Sequence, residues 1–191
     1  MKKTIFTFAM AIAVVISASA MSTAQSMSDN PMVGGKAMLA NQTIVANAVN
    51  SADHTTLVAA VKAAGLVDTL SGKGPFTVFA PVNDAFENLP EGTIPTLLKT
   101  ENKGMLTNVL TYHVVAGKMD AKSIMKAIKK GNGTAMLKTV NGGMLTAKMN
   151  GAMNVVLMDE KGNTAHISTY DVMQSNGVIH VIDKVLMPNK M

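Results

Sequence analysis

The chain has 191 residues and a formal net charge of +5, from 17 basic and 12 acidic side chains, and it contains no cysteine. Every basic side chain is a lysine, so the bidentate guanidinium forks that grip phosphates and base edges are missing; with so modest a charge, this argues against a nucleic-acid partner. Without cysteine there are no disulfides, no thiolate metal site and no lipid attachment through a thioether, which leaves an ordinary apolar core to supply stability.

In chain order, residues 1–20 read as a signal peptide. Lys2 and Lys3 precede the uncharged apolar run from Ile5 to Ile16, and Ala18-Ser19-Ala20 supplies the small-x-small cleavage pattern. The run falls short of the roughly 20 residues that span a bilayer. Cleavage is expected after Ala20, with Ala24 as the alternative, and no transmembrane segment is expected after processing. The mature protein is then secreted or periplasmic. Residues 21–42, rich in Ser, Met, Asn and Gly and without periodicity, read as a flexible leader. Residues 43–188 read as one domain.

The first part of that domain has helical spacing. Ile44, Val45, Ala48 and Val49 share a face. Ser51 or Asp53 is placed to cap a second helix carrying Leu57, Val58, Val61 and Ala64, which Gly65 stops. A strand over Phe76 to Ala80 ends at Pro81, and Asn83 or Asp84 is placed to cap a short helix with Phe86 and Leu89. Two further helical pieces, Ile94 to Leu98 and Met105 to Leu110, lead into an extended Tyr112 to Val115. Asp120 caps a last helix with Ile124, Met125 and Ile128 inward, stopped by Gly131. Beyond residue 133 the period becomes alternating. Asn141-Gly142 and Asn150-Gly151 signal type I′ hairpin turns, and Gly162-Asn163 a third turn, between strands at 134–140, 144–149, 153–158 and 164–169; Val178 to Met187 follows. The fold class is α+β, with helices first and an antiparallel meander after them.

Three stretches carry a resemblance. Thr77-Val78-Phe79-Ala80-Pro81-Val82-Asn83-Asp84-Ala85-Phe86 resembles the first signature segment of the fasciclin domain family, Tyr112-His113 its central pair, and Asn176-Gly177-Val178-Ile179-His180-Val181-Ile182-Asp183-Lys184-Val185-Leu186-Met187-Pro188 its second segment. The resemblance implies N-terminal helices packed on a β-wedge of mostly antiparallel strands, and an extracellular adhesion module that binds proteins, polysaccharides or lipids without catalysis. In animal members an Asp-Ile pair shortly before the second segment is associated with integrin binding; here that place holds Asp171-Val172-Met173. Read physically, the signature residues mainly build the fold: Val178, His180 and Ile182 share one strand face, opposite Ile179 and Val181.

The candidate sites are few. His113 beside Tyr112 reads as a buried pair satisfying backbone groups, since no Gly-x-Ser-x-Gly, phosphate loop or His-Glu-x-x-His accompanies it. No cofactor or metal motif is read, and Asp159-Glu160 reads as part of a solvated turn. Lys122, Lys126, Lys129 and Lys130 form a stripe opposite Ile124 and Ile128, suited to an anionic polysaccharide or lipid headgroup. With 17 methionines in the chain, an exported Met/His-rich Cu(I)-binding protein is the alternative reading. Met144, Met149, Met153 and Met158 lie on neighbouring hairpin strands with His166 nearby, though the odd spacing of Met144 and Met149 keeps the set off a single face. The leading reading is an adhesion or interaction module for a surface protein or polysaccharide. A single copy makes one weak contact, so useful adhesion calls for many copies or weak self-association. Intact-mass spectrometry of the exported protein should find Met21 as its first residue; a retained Met1 in the membrane fraction would overturn the signal peptide.

Overall fold

The structure, a computed structural model, describes residues 30–189. The expected signal peptide and residues 21–29 of the expected leader lie outside the described residues. The remainder of that leader is part of the domain. Strands β1 (Met32–Val33) and β2 (Lys36–Ala37) form a small hairpin, and Val33 and Met38 are buried in the core. Asn47, fully buried, holds this segment down: its Oδ1 accepts the Leu39 N–H at 3.0 Å, and its Nδ2 donates to the Leu39 carbonyl at 2.7 Å and to Gln174 Oε1. Two apolar anchors and one buried amide are enough to order the segment, yet too few to leave a periodic pattern in its sequence.

Short helices follow: α1 (Ile44–Ala48), α2 (Thr55–Ala64) and α3 (Val67–Ser71). Strand β3 (Phe76–Pro81) separates them from α4 (Asn83–Glu87), α5 (Thr93–Leu97) and α6 (Lys103–Tyr112). Next come β4 (Val114–Ala116), α7 (Ala121–Lys130), β5 (Thr134–Lys138), β6 (Met144–Asn150), β7 (Asn154–Met158), β8 (Thr164–Gln174) and β9 (Gly177–Ile182). Thr43 caps α1 through the Ala46 N–H, and Asp120 caps α7 through the Ser123 N–H at 2.8 Å.

Several local expectations are corrected. Neither Asn83 nor Asp84 caps α4; the Asn83 carboxamide instead ties the start of α2 to the strand end, accepting from Thr56 N–H at 3.1 Å and donating to the Ala52 carbonyl at 2.8 Å. Ser51 and Asp53 sit at a 3-10 turn before α2, and the Ser51 hydroxyl pairs with His54 Nδ1 at 2.8 Å rather than with a helix N–H. Tyr112 ends α6 and His113 caps it, so the pair is helical, not extended. Only the glycine of Asn141-Gly142 and of Asn150-Gly151 takes a positive φ, which excludes a type I′ turn; the Asn141 Oδ1 accepts the Gly143 N–H at 2.9 Å and closes the loop by side-chain mimicry of the backbone.

The main sheet has seven strands in the order β4-β3-β9-β8-β7-β6-β5. Neighbours run antiparallel except β3 and β9, which pair in parallel from Phe76 opposite Gly177 to Pro81 opposite Ile182. The sheet curls until its outer strands meet: Val140 N–H donates to the Val114 carbonyl at 2.7 Å, and Val115 bridges Thr139. Strand alternation then builds two cores. Val78, Ala80, Ile179 and Val181 face the helices, with Leu57, Val61, Leu106 and Leu110 over them. Phe79 and Ile182 face the interior of the curl with Leu145, Leu157 and Ala165, and α7 closes it with Ile124 and Ile128.

Asn176 joins these layers. Its Oδ1 accepts the Ile44 N–H at 2.9 Å, and its Nδ2 donates to the carbonyls of Leu70 at 2.8 Å and Gly72 at 3.0 Å. Truncation strips three backbone groups of their partner at once. Asn176→Ala should therefore lower the unfolding free energy by about 2–3 kcal/mol in urea titration.

Candidate functional site

The signature residues are held by their neighbours. The Thr77 hydroxyl donates to the Gly117 carbonyl at 2.7 Å and accepts the Met119 N–H at 2.8 Å, fixing the approach to α7. Phe79, wholly buried, stacks on His180 with ring centroids 5.7 Å apart. Pro81 and Phe86 are buried, while Asp84 is exposed. Asp183 accepts the His166 N–H at 2.7 Å and pairs with His166 Nδ1 at 3.1 Å. A Cβ at Gly177 would stand 2.1 Å from the Phe76 carbonyl oxygen, so the close parallel pairing admits only glycine.

The Tyr112 phenol donates to the Met144 carbonyl at 2.9 Å and accepts the Glu160 N–H at 3.1 Å; burial pushes its pKa up to about 12. His113, 3% exposed, donates from Nδ1 to the Val109 carbonyl at 2.8 Å and accepts the Leu186 N–H on Nε2 at 3.0 Å. Those partners select the neutral Nδ1–H tautomer. His180 has the opposite one, donating from Nε2 to the Met119 carbonyl at 2.8 Å and accepting the Asp171 N–H on Nδ1 at 3.3 Å. Burial lowers the pKa of both rings, that of His113 to about 4. Asp159 is buried as well. It accepts N–H groups of Lys161 at 2.9 Å, Asn163 at 2.8 Å and Met187 at 3.0 Å, and so ties the exposed turn of Glu160, Lys161 and Gly162 to the C-terminal segment.

The Asp171-Val172-Met173 stretch is where β8 bulges as it passes from Ile167 to Val172 along β9. Asp171 has φ 55°, and its Oδ1 accepts the Ala121 N–H at 2.7 Å, at the first turn of α7. Val172 is 1% exposed and lies in the helix-side core, while Met173 is half-buried. The three residues therefore do not form one outward patch: the acid holds a helix and the valine packs inside.

What that helix displays is the lysine stripe. Ile124 and Ile128 are buried, whereas Lys122, Lys126, Lys129 and Lys130 are all exposed. Among the described residues the ion pairs are Lys99–Glu101 and His166–Asp183, and neither involves α7. The four ammonium groups thus face solvent from one rigid element, locked at its N-terminus by Asp120 and Asp171. A separate open concavity of about 940 Å³ lies among α4, α5, the β7–β8 turn and the C-terminal segment, with Leu89, Leu97, Met105 and Met187 in its wall and Lys161 and Lys184 at its sides. Its residues come from four distant stretches, so no local pattern announces it.

A helix-capped, curled sheet with buried, hydrogen-bonded signature residues and a charged helix on its surface defines a binding scaffold. The Fasciclin domain profile matches residues 52–188, and the chain belongs to that family. It is 47% identical to Protein sll1483 of Synechocystis sp. over 76% of this chain and 73% of that one. It is 36% identical to the immunogenic protein MPT70 of Mycobacterium tuberculosis, over 74% of this chain and 66% of that one. The FAS1 domain pair of the insect cell adhesion molecule Fasciclin I shares the fold, with a TM-score of 0.68 at 18% identity, over 78% of this chain and 52% of that one. No helix among the described residues is long and apolar enough to cross a membrane.

The buried imidazoles make stability pH-dependent. Since His113 has a folded-state pKa of about 4, below its ordinary 6.5, the unfolded chain binds the extra proton between these values. Stability is full above pH 6.5 and falls as the pH drops toward 4, by about 3 kcal/mol from this residue. His54 and His180 shift in the same direction and add to the loss. Urea midpoints measured from pH 8 to pH 4 should decline through that window, and less steeply in His113→Asn.

Proposed function

We propose that the protein is exported by its N-terminal signal peptide and acts, without catalysis, as an adhesion or interaction module whose α7 lysine face docks on an anionic polysaccharide or headgroup surface. The observation that carries this reading is the set of four exposed lysines, free of ion pairs to described side chains, on a helix held at both its buried face and its N-terminus. A rigid cationic row loses little conformational freedom beyond its own side chains when a polyanion aligns with it. Lys129 and Lys130 also sit in the last turn, where the helix dipole favours cations.

Relatives support a role at surfaces. The Mycobacterium bovis relative MPB83 is named a cell surface glycolipoprotein, and Fasciclin I a cell adhesion molecule. Asp171 enters this reading as a positioning residue: it contributes by anchoring α7. Binding to alginate or to phosphatidylglycerol vesicles should weaken steeply between low and physiological salt, because exposed charges are screened over about 8–10 Å there. Replacing Lys122, Lys126, Lys129 and Lys130 together with Gln should weaken binding at least about tenfold at unchanged stability. Unchanged binding by that variant would remove α7 as the contact surface.

A further inference from the structure

The curled sheet turns a second feature outward. On β6, Leu145 and Ala147 are wholly buried, so Met144, Thr146 and Lys148 point to solvent; on β7, buried Val155 and Leu157 place Met158 outward, and on β5, buried Ala135 and Leu137 do the same for Met136. The register brings the three methionines together. Thr146 stands opposite Met136 on one side and opposite Met158 on the other, and Met144, two residues earlier, is diagonal to both. The diagonal pairs have Cα atoms about 8 Å apart, and Met136 and Met158, two strands apart, about 10 Å. Long, unbranched thioethers cross such gaps readily. The Thr146 hydroxyl lies 3.4 Å from Met136 Sδ, which turns that sulfur toward the middle of the triangle. Met144 and Met158 are half-buried, and Met136 is exposed.

We propose that Met136, Met144 and Met158 form a three-thioether site for Cu(I). Thioether sulfur is a soft, neutral donor that prefers Cu(I) to harder divalent ions. Selectivity follows from the surroundings, since among the described residues no three His, Cys, Asp or Glu side chains converge to hold a metal. The charges at the edge balance: Lys138 stands across from Met144, and Glu160 Oε1 accepts the Met144 N–H at 3.0 Å. The set differs from the one the sequence groups. Met149 packs against the interior of the curl, opposite Val155, and Met153 sits 72% exposed outside the paired strands. His166, opposite Val156 on β8, is diagonal to Met158 but lies two strands from Met144 and three from Met136, with Nδ1 bonded to Asp183, and so is at the margin of the triangle and not within it.

Anaerobic titration of the exported protein with Cu(I) against a chromophoric Cu(I) chelator tests the site, with X-ray absorption reporting the donor atoms. One Cu(I) bound by sulfur is expected, at least about tenfold weaker in Met136→Leu/Met144→Leu/Met158→Leu and unchanged in Met149→Leu/Met153→Leu. Urea midpoints for both variants check that the fold is retained; the positions are outward and Leu is close in volume to Met. No Cu(I) binding, a nitrogen or oxygen shell, retention of the metal by the triple variant, or displacement by Zn²⁺ would each overturn the proposal.

Discussion

The parallel pairing of β3 with β9 is the constraint on which the rest of the molecule depends. It joins two segments a hundred residues apart in sequence, with Phe76 against Gly177 and Pro81 against Ile182. The contact is too tight for a side chain at Gly177. Because both are interior strands, covered on both faces, their alternate residues supply the floor of both cores: Val78, Ala80, Ile179 and Val181 on one side, Phe79 and Ile182 on the other. Polar residues at the strand ends then fasten the neighbouring layers, Asn176 to α1 and α3, Thr77 to the approach of α7, and His113 to the C-terminal segment. The fasciclin signature is thus largely a description of one strand pair and its fastenings.

That view explains what could be read from the amino acids and what could not. The lysine face of α7 was readable because 3.6-residue periodicity is local: Ile124 and Ile128 go inward, and the lysines have to go the other way. The faces of β9 were readable for the same reason, with a period of two. Asn176-Gly177 was recognisable as a turn, but the need for glycine comes from a carbonyl on another strand. Residues 30–42 carry no readable pattern because Val33 and Met38 are their only buried side chains, and their buried partner Asn47 looks like any surface amide. Asp171 has a structural partner that the local pattern does not show. As one of an acid-apolar pair it resembles a presented motif, and nothing nearby in sequence reveals that β8 bulges there or that its carboxylate meets Ala121, fifty residues away. The methionine grouping needed the register as well as the alternation, and only the register brings in Met136.

The two surfaces that emerge are built differently. The lysines of α7 act through charge and need only a rigid carrier. Buried apolar packing and two carboxylates at the helix N-terminus provide it. The outward methionines depend on sheet register, so a slip of one residue in β5 would turn Met136 into the core. Ala135 and Leu137, both buried, penalise that slip strongly.

The meeting of the outer strands through Val114, Val115, Thr139 and Val140 has a consequence for how such a molecule tolerates crowding. A flat seven-stranded sheet would offer two rows of unpaired backbone groups to any passing chain, an open invitation to fibrous growth. Here each row is turned toward the other and partly spent, so close approach of copies does not readily become polymerisation. Encounters with other molecules are left to side chains.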